Sequence, residues 1–177
     1  MKLFLMRHLE TEYSSNGKYC GQIDCPILPS INVDIPSEIL SFLKENEIFY
    51  FSSPLKRAKL TLDKLKEHLI IKHFDYREEL SERDYGIYNG MDKEEVHELI
   101  NTNQEVDFIN SPLLAPPNGE SQNDLKKRVY RFMDEIRNKY QNVFLITHQG
   151  VLRAIYQWMN KDSFIKFSSG EIKMEEI

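Results

Sequence analysis

Residues 1–21 read MKLFLMRHLETEYSSNGKYCG. Four apolar residues, Leu3 to Met6, run straight into Arg7-His8, and from there the chain turns polar. An apolar run without alternation suits a strand buried on both faces, as at the centre of a parallel sheet covered by helices. The pattern recurs near the other end, where Val143 to Ile146 run into Thr147-His148-Gln149-Gly150. In open α/β sheets, ligands bind outside the carboxyl ends of the strands. Two buried strands that each end on a histidine therefore point to one shared site.

The segments between them alternate in kind. Ser37 is a cap for a helix through Asn46, with Ile39, Leu40, Phe42 and Leu43 as its apolar face. A second strand is expected over 48–51, a helix over 55–69 and a third strand over 70–74. Residues 77–117 are polar and punctuated, with one helical piece around Lys93–Asn101, and Ser111-Pro112 and Pro116-Pro117 break any helix after it. Ser121 opens a long helix, Asp124 completing a box-like cap, with Leu125, Val129, Phe132, Met133, Ile136 and Tyr140 as its core stripe. A helix over 151–159 follows, then two weaker strand candidates flanking Ser168-Ser169-Gly170. The expected fold is α/β, a three-layer sandwich with a mostly parallel central sheet and helices on both faces. One domain over 1–177 is expected, with a short cap or lid insertion around 86–118.

The chain has 177 residues and a formal net charge of −5, which argues against a nucleic-acid partner but not against a small anion held in a local cationic pocket. Cys20 and Cys25 are the only cysteines. Their C-x4-C spacing, with no second pair and no histidine pair nearby, reads as two ordinary thiols rather than a zinc site or a disulfide framework. No H-x-H or H-E-x-x-H pattern occurs, so no metal site is expected. No apolar run approaches the ~18 residues of a membrane helix, and the N-terminal run is too short for a signal-peptide core. A cytoplasmic protein without membrane contact is expected, as a monomer or homodimer.

Arg7, His8, Arg57 and His148 could converge at one end of the sheet. Unpaired cations make a poor core, because burying them is costly. They make a good site for a dianion such as a phosphoryl group, to which arginine gives bidentate, charge-assisted bonds.

RHLET at residues 7–11 resembles the RHG-E-T signature of the histidine phosphatase superfamily, the phosphoglycerate mutase-like proteins. SSPLKRAKLT (52–61), LSERDYGIYNG (80–90), PPNGES (116–121) and LITHQGVLR (145–153) follow in the family's order. The resemblance implies His8 as the nucleophile that forms a phosphohistidine, and Arg7, Arg57 and His148 as holders of the phosphoryl oxygens. It implies Glu82 as the acid that protonates the leaving group and then the base that activates water. It further implies Ser14, Cys20, Gly21 and Gln149 at the substrate, a small phosphorylated molecule, and no metal or organic cofactor. Within the family, the K-Y-C-G and T-H-Q-G-V-L stretches look similar to α-ribazole-5′-phosphate phosphatases of cobalamin assembly. A phosphoglycerate mutase and a broad-specificity phosphatase are the alternatives.

Three positions depart from the family pattern: Leu9 replaces a glycine, Ser14 an asparagine and Cys20 a glutamine. Leu9 leaves open a phosphate-binding protein without turnover, because a positive φ there would store strain of about 1–3 kcal/mol at the site. Glu120 and Ser121 read as helix-start residues, and His68, His73 and His97 as surface or packing histidines.

Overall fold

The structure, a computed structural model, describes residues 1–102, 107–162 and 164–177. Its strands are β1 (Lys2–Arg7), β2 (Phe49–Ser52), β3 (His73–Tyr76), β4 (Asn142–Thr147) and β5 (Ile172–Glu176). Its helices are α1 (Glu12–Ser15), α2 (Ser37–Glu45), α3 (Lys56–Lys66), α4 (Lys93–Asn101), α5 (Gln122–Ile136) and α6 (Gln149–Trp158), with single 3-10 turns at Glu78–Leu80 and Gly86–Tyr88. The sheet order is β3-β2-β4-β1-β5. All neighbours pair in parallel except β5, which closes the β1 edge antiparallel.

The pleat of β1 divides the interior in two. Leu3 and Leu5 face one core, built with Phe51, Val143 and Leu145 against the inner faces of α5 and α6. Phe4 and Met6 face the other, built with Tyr50, Phe144 and Ile146 against Leu43 of α2 and Ala58, Leu62 and Leu65 of α3. Period-two alternation sends successive side chains to opposite faces, so an unbroken apolar run is what a strand between two helical layers requires. This is the expected three-layer α/β sandwich. A third, smaller cluster forms over the carboxyl end of the sheet, where Tyr19 packs with Tyr88, Val96, Ile100 and Phe108. Most of the 86–118 segment surrounds it, while residues 103–106 of that segment lie outside the described residues.

Several boundaries differ from expectation. The third strand is His73–Tyr76 rather than 70–74, and Ile70 stands 90% exposed. The strand begins where its ladder with Phe49 begins, and as an edge strand all its residues remain exposed, so apolarity does not mark it. Residues 12–15 form the short α1 at the rim of a segment otherwise expected as loop. Of the two late strand candidates only Ile172–Glu176 pairs. Before it, the Ile165 and Phe167 backbone is satisfied by side chains instead: Gln149 donates to the Ile165 carbonyl (2.8 Å) and accepts from the Phe167 N–H (2.9 Å). Ser121 caps α5 as expected, its Oγ accepting from the Asp124 N–H at 3.1 Å.

Phe132 is fully buried under the sheet with its ring edge-on to Phe51, centroids 5.4 Å apart. Phe132→Ala is expected to cost about 3–5 kcal/mol. A urea unfolding midpoint within error of the parent would contradict this account of the core.

Candidate active site

The carboxyl ends of β1 and β4 lie side by side, with Arg7 opposite Thr147 and the His8 N–H donating to the Thr147 carbonyl at 2.9 Å. That register places the His8 and His148 rings 5.0 Å apart, both buried. His8 Nδ1 lies 2.6 Å from the Leu9 carbonyl. A carbonyl only accepts, so Nδ1 carries the hydrogen and Nε2 keeps its lone pair. Arg57, fully buried on α3, donates its Nε–H to His148 Nδ1 at 3.2 Å. His148 Nε2 must then carry the hydrogen, and it donates to Ser53 Oγ at 2.8 Å. Two neighbouring histidines are thereby held in opposite tautomers. Desolvation, with the Arg57 cation second, pushes both pKa values well below the usual histidine value, so both rings are neutral.

Arg57 Nη1 and Nη2 donate to the carbonyls of Ile23 (2.8 Å) and Gly21 (2.7 Å). Its acceptors are two backbone carbonyls and one imidazole nitrogen, none of them a carboxylate. Arg7 donates Nη1–H to the Phe167 carbonyl at 2.8 Å, while its Nε is buried with no acceptor in the protein. Among the described residues, no carboxylate lies within ion-pair distance of either guanidinium.

Glu82 enters the same cleft from the far wall. Its Oε1 accepts from the Arg83 N–H at 2.9 Å and its Oε2 from the Gly150 N–H, in the first turn of α6, at 3.3 Å. A Cβ at Gly150 would lie 2.4 Å from Glu82 Oε1, so only glycine admits the carboxylate there. Two tethers hold the Glu82 segment. Thr147 Oγ1 donates to the Leu80 carbonyl (2.6 Å), and Arg128, paired with both oxygens of Glu120 (2.7 and 2.8 Å), donates to the carbonyls of Glu79 and Glu82. Glu120 thus serves the scaffold, as its helix-start position suggested.

Ser14 lines the cleft, where its hydroxyl donates to the Thr11 carbonyl (3.0 Å) and accepts from the Thr11 N–H (2.9 Å). Gln149 also lines the cleft, with its amide committed to residues 165 and 167. Gly21 acts through its carbonyl on Arg57, and Cys20 lies against Cys25 with the sulfurs 3.0 Å apart. Leu9 is the instructive departure. It is absent from the non-glycine residues with positive φ, which among the described residues are Asn118 and Asn160. Its side chain is buried in the core beside Gly170, where a Cβ would come within 2.9 Å of it, and its N–H donates to Thr61 Oγ1 at 3.0 Å. The leucine is absorbed behind the site without backbone strain.

The cleft, about 390 Å³, also collects residues that sequence reasoning passed over: Lys18, Tyr19, Lys93, His97, Arg153 and Lys166. Lys93 and His97 lie four apart on α4 and so share a face, a spacing visible in the sequence. His97, expected to be a packing or surface residue, instead lines the cleft, its Nε2 3.1 Å from Tyr19 Oη. Burial lowers the Lys93 pKa. Glu82 is the one carboxylate among the described lining residues. No group of three or more His, Cys, Asp or Glu among the described residues is placed to hold a metal ion, and no described helix is long and apolar enough to cross a membrane.

The sequence matches the histidine phosphatase superfamily (branch 1) over residues 3–173. It is 30% identical to a metal-independent phosphoserine phosphatase of Arabidopsis thaliana, over 88% of this chain and 67% of that one. It is 29% identical to phosphoserine phosphatase 1 of Hydrogenobacter thermophilus, over 88% and 74%. A 2,3-bisphosphoglycerate-dependent phosphoglycerate mutase of Nitrobacter hamburgensis is 30% identical over 90% and 81%. Among solved structures, a candidate α-ribazole-5′-P phosphatase from Escherichia coli superposes with a TM-score of 0.72 over 98% of this chain and 89% of that one; at 23% identity it is similar in fold alone.

The neutral histidines set the pH dependence of stability. Below the unfolded value of about 6.5, the unfolded chain binds protons that the folded chain does not. Stability is therefore flat above that pH and falls as pH drops through it, each histidine adding up to about 1.4 kcal/mol per pH unit. Exposed carboxylates such as Glu135, held down to about 2 by its hydrogen bond from Arg77, act only in more acid solution. Urea midpoints should fall from about pH 7 to pH 5, and fall less in His148→Asn; a flat profile would contradict the neutral pair.

Proposed function

This chain belongs to the histidine phosphatase superfamily (branch 1) and is an enzyme of the phosphatase type, and from that premise we propose that it hydrolyses a small phosphomonoester whose alcohol carries a carboxylate, the phosphoserine class. One observation carries the reading: a fully buried guanidinium and a half-buried one, neither with a carboxylate partner, face a neutral histidine whose free nitrogen is fixed by its tautomer. A phosphoryl dianion supplies the missing charge.

In the proposed reaction His8 Nε2 attacks phosphorus in line with the ester oxygen, while the Leu9 carbonyl holds the Nδ1 hydrogen and supports the developing imidazolium. Arg7 and Arg57 take the equatorial oxygens, where transition-state charge gathers, and the Nε2–H of His148 joins them by turning from Ser53 Oγ. Glu82 gives a proton to the departing alkoxide. The resulting carboxylate then accepts a proton from the water that attacks the phosphohistidine, releasing phosphate and restoring His8.

The carboxylate in the substrate is favoured by the outer cleft, where Lys18, Lys93, Arg153 and Lys166 stand with no acidic side chain beyond Glu82 among the described lining. Such a local field attracts an anion although the whole chain is acidic. The phosphoserine phosphatases among its relatives act on a molecule of this kind by name. An α-ribazole phosphate has no second anionic group for those cations to meet, and its support is a likeness of fold. The binding-only alternative loses its ground with Leu9 packed without strain.

The test is phosphate release without added metal from phosphoserine, an aryl phosphate, α-ribazole 5′-phosphate and sugar phosphates, with isomerisation of 3-phosphoglycerate followed in parallel. Phosphoserine is expected to lead. His8→Ala should abolish turnover of all, and Lys93→Met should raise KM for phosphoserine about tenfold while leaving the aryl phosphate nearly unchanged. Preference for α-ribazole 5′-phosphate, or isomerisation outrunning hydrolysis, would overturn the substrate class. Glu82→Gln is expected to slow phosphoserine by about 10²–10⁴-fold and the aryl phosphate far less, because a good leaving group needs little protonation. Equal losses on both substrates would remove Glu82 from the acid role.

A further inference from the structure

Cys20 and Cys25 take no part in the chemistry above, yet they bracket its most buried cation. Cys20 faces the cleft, Cys25 is buried beneath it, and their sulfurs are 3.0 Å apart. The carbonyls that hold Arg57 Nη2 and Nη1 belong to Gly21 and Ile23, both within the segment the two sulfurs close. That segment is already a tight turn, with the Ile23 N–H donating to the Cys20 carbonyl at 2.9 Å and the Cys25 N–H to the Ile23 carbonyl at 3.0 Å. Gly21 sits at φ +46°, with Asn89 Oδ1 1.9 Å from where a Cβ would stand, so the turn has no slack on that side.

We propose that Cys20 and Cys25 are a peroxide-responsive thiol pair whose closure to an intrachain disulfide displaces Arg57 and switches the site off. The hydrogen bond from Cys20, with the Arg57 cation adding to it, lowers the Cys25 thiol to about 6, so the pair holds a thiolate at neutral pH. The same hydrogen bond, with burial, raises the Cys20 thiol, so the charge rests on Cys25, while the cleft-facing Cys20 is the sulfur a small peroxide reaches.

The Cys20 thiol hands its proton to the Cys25 thiolate 3.0 Å away as its own sulfur attacks one peroxide oxygen. An S–O bond forms, the O–O bond breaks, and the departing hydroxide leaves as water with the proton the pair gave up. The Cys25 sulfur then attacks Cys20, forming the S–S bond and breaking the S–O bond, and a second water leaves with the remaining thiol proton. Two thiols and one hydrogen peroxide give one disulfide and two waters. Bonding draws the sulfurs from 3.0 Å to about 2.05 Å. A movement of that size passes into the Gly21 and Ile23 carbonyls, and a misplacement near 1 Å at a catalytic constellation costs about 10²-fold in rate.

The functional consequence rests on the phosphoryl role proposed for Arg57; the disulfide does not. The full chain is treated with hydrogen peroxide and assayed three ways: intact mass without reductant, aryl phosphate turnover, and orthovanadate affinity. Expected are a monomer lighter by two hydrogens, kcat/KM lower by about tenfold or more, and recovery with dithiothreitol. Cys25→Ser should keep the reduced enzyme's turnover and melting temperature and show no dithiothreitol-reversible loss. Cys25→Ala repeats that control with a smaller side chain. Failure to form the intrachain bond, or a disulfide enzyme with unchanged turnover and vanadate affinity, overturns the proposal. A reduced enzyme without turnover counts against the proposed function alone. The vanadate arm then still decides this inference, weaker binding by the disulfide form supporting it and equal binding overturning it.

Discussion

The buried guanidinium of Arg57 is the constraint around which the carboxyl end of the sheet is arranged. A cation removed from water is stable only if its donors are matched, and here two backbone carbonyls and one imidazole nitrogen do the matching. None of them cancels its charge. The N-terminal segment after α1 curls as it does to present the Gly21 and Ile23 carbonyls to this side chain. The tautomer of His148 follows from the same requirement. The site is therefore charged and organised before any anion arrives, which is the condition for strong electrostatic stabilisation without reorganisation.

That arrangement also keeps the two histidines neutral. Burial alone disfavours imidazolium, and the adjacent cation adds to it. For a nucleophile this is useful, because only a neutral ring has a lone pair to offer, and the Leu9 carbonyl directs that lone pair to Nε2. The same neutrality makes the fold sensitive to acid: a group kept uncharged for chemistry destabilises the folded state once solvent would protonate it.

The far wall is governed by close packing rather than charge. Glu82 reaches the N-terminus of α6 because Gly150 has no side chain, and its segment is tied down by Arg128 and Thr147 from two other elements. Leu9 shows the complementary case. A bulky residue stands where the family pattern has glycine, and it is tolerated because its side chain enters the core beside Gly170 instead of the site.

The sequence by itself determined the two apolar strands, the histidine at the tip of each, the amphipathic helices that cover them and the order of motifs that marks the family. These depend on local periodicity and residue type, which are written along the chain. The edge strand β3 was misplaced because pairing, not burial, defines it. The weaker strand candidate before Ser168 does not pair, and nothing local shows that Gln149 and Arg7 satisfy the backbone at Ile165 and Phe167. The tertiary structure alone decided which polar side chains are free: Ser14 and Gln149 are already bonded to the protein, whereas Lys18, Lys93 and Arg153, scattered over the chain, gather in one cleft. Hydrogen-bond partners and local fields come from residues distant in sequence, so no stretch of the chain carries them.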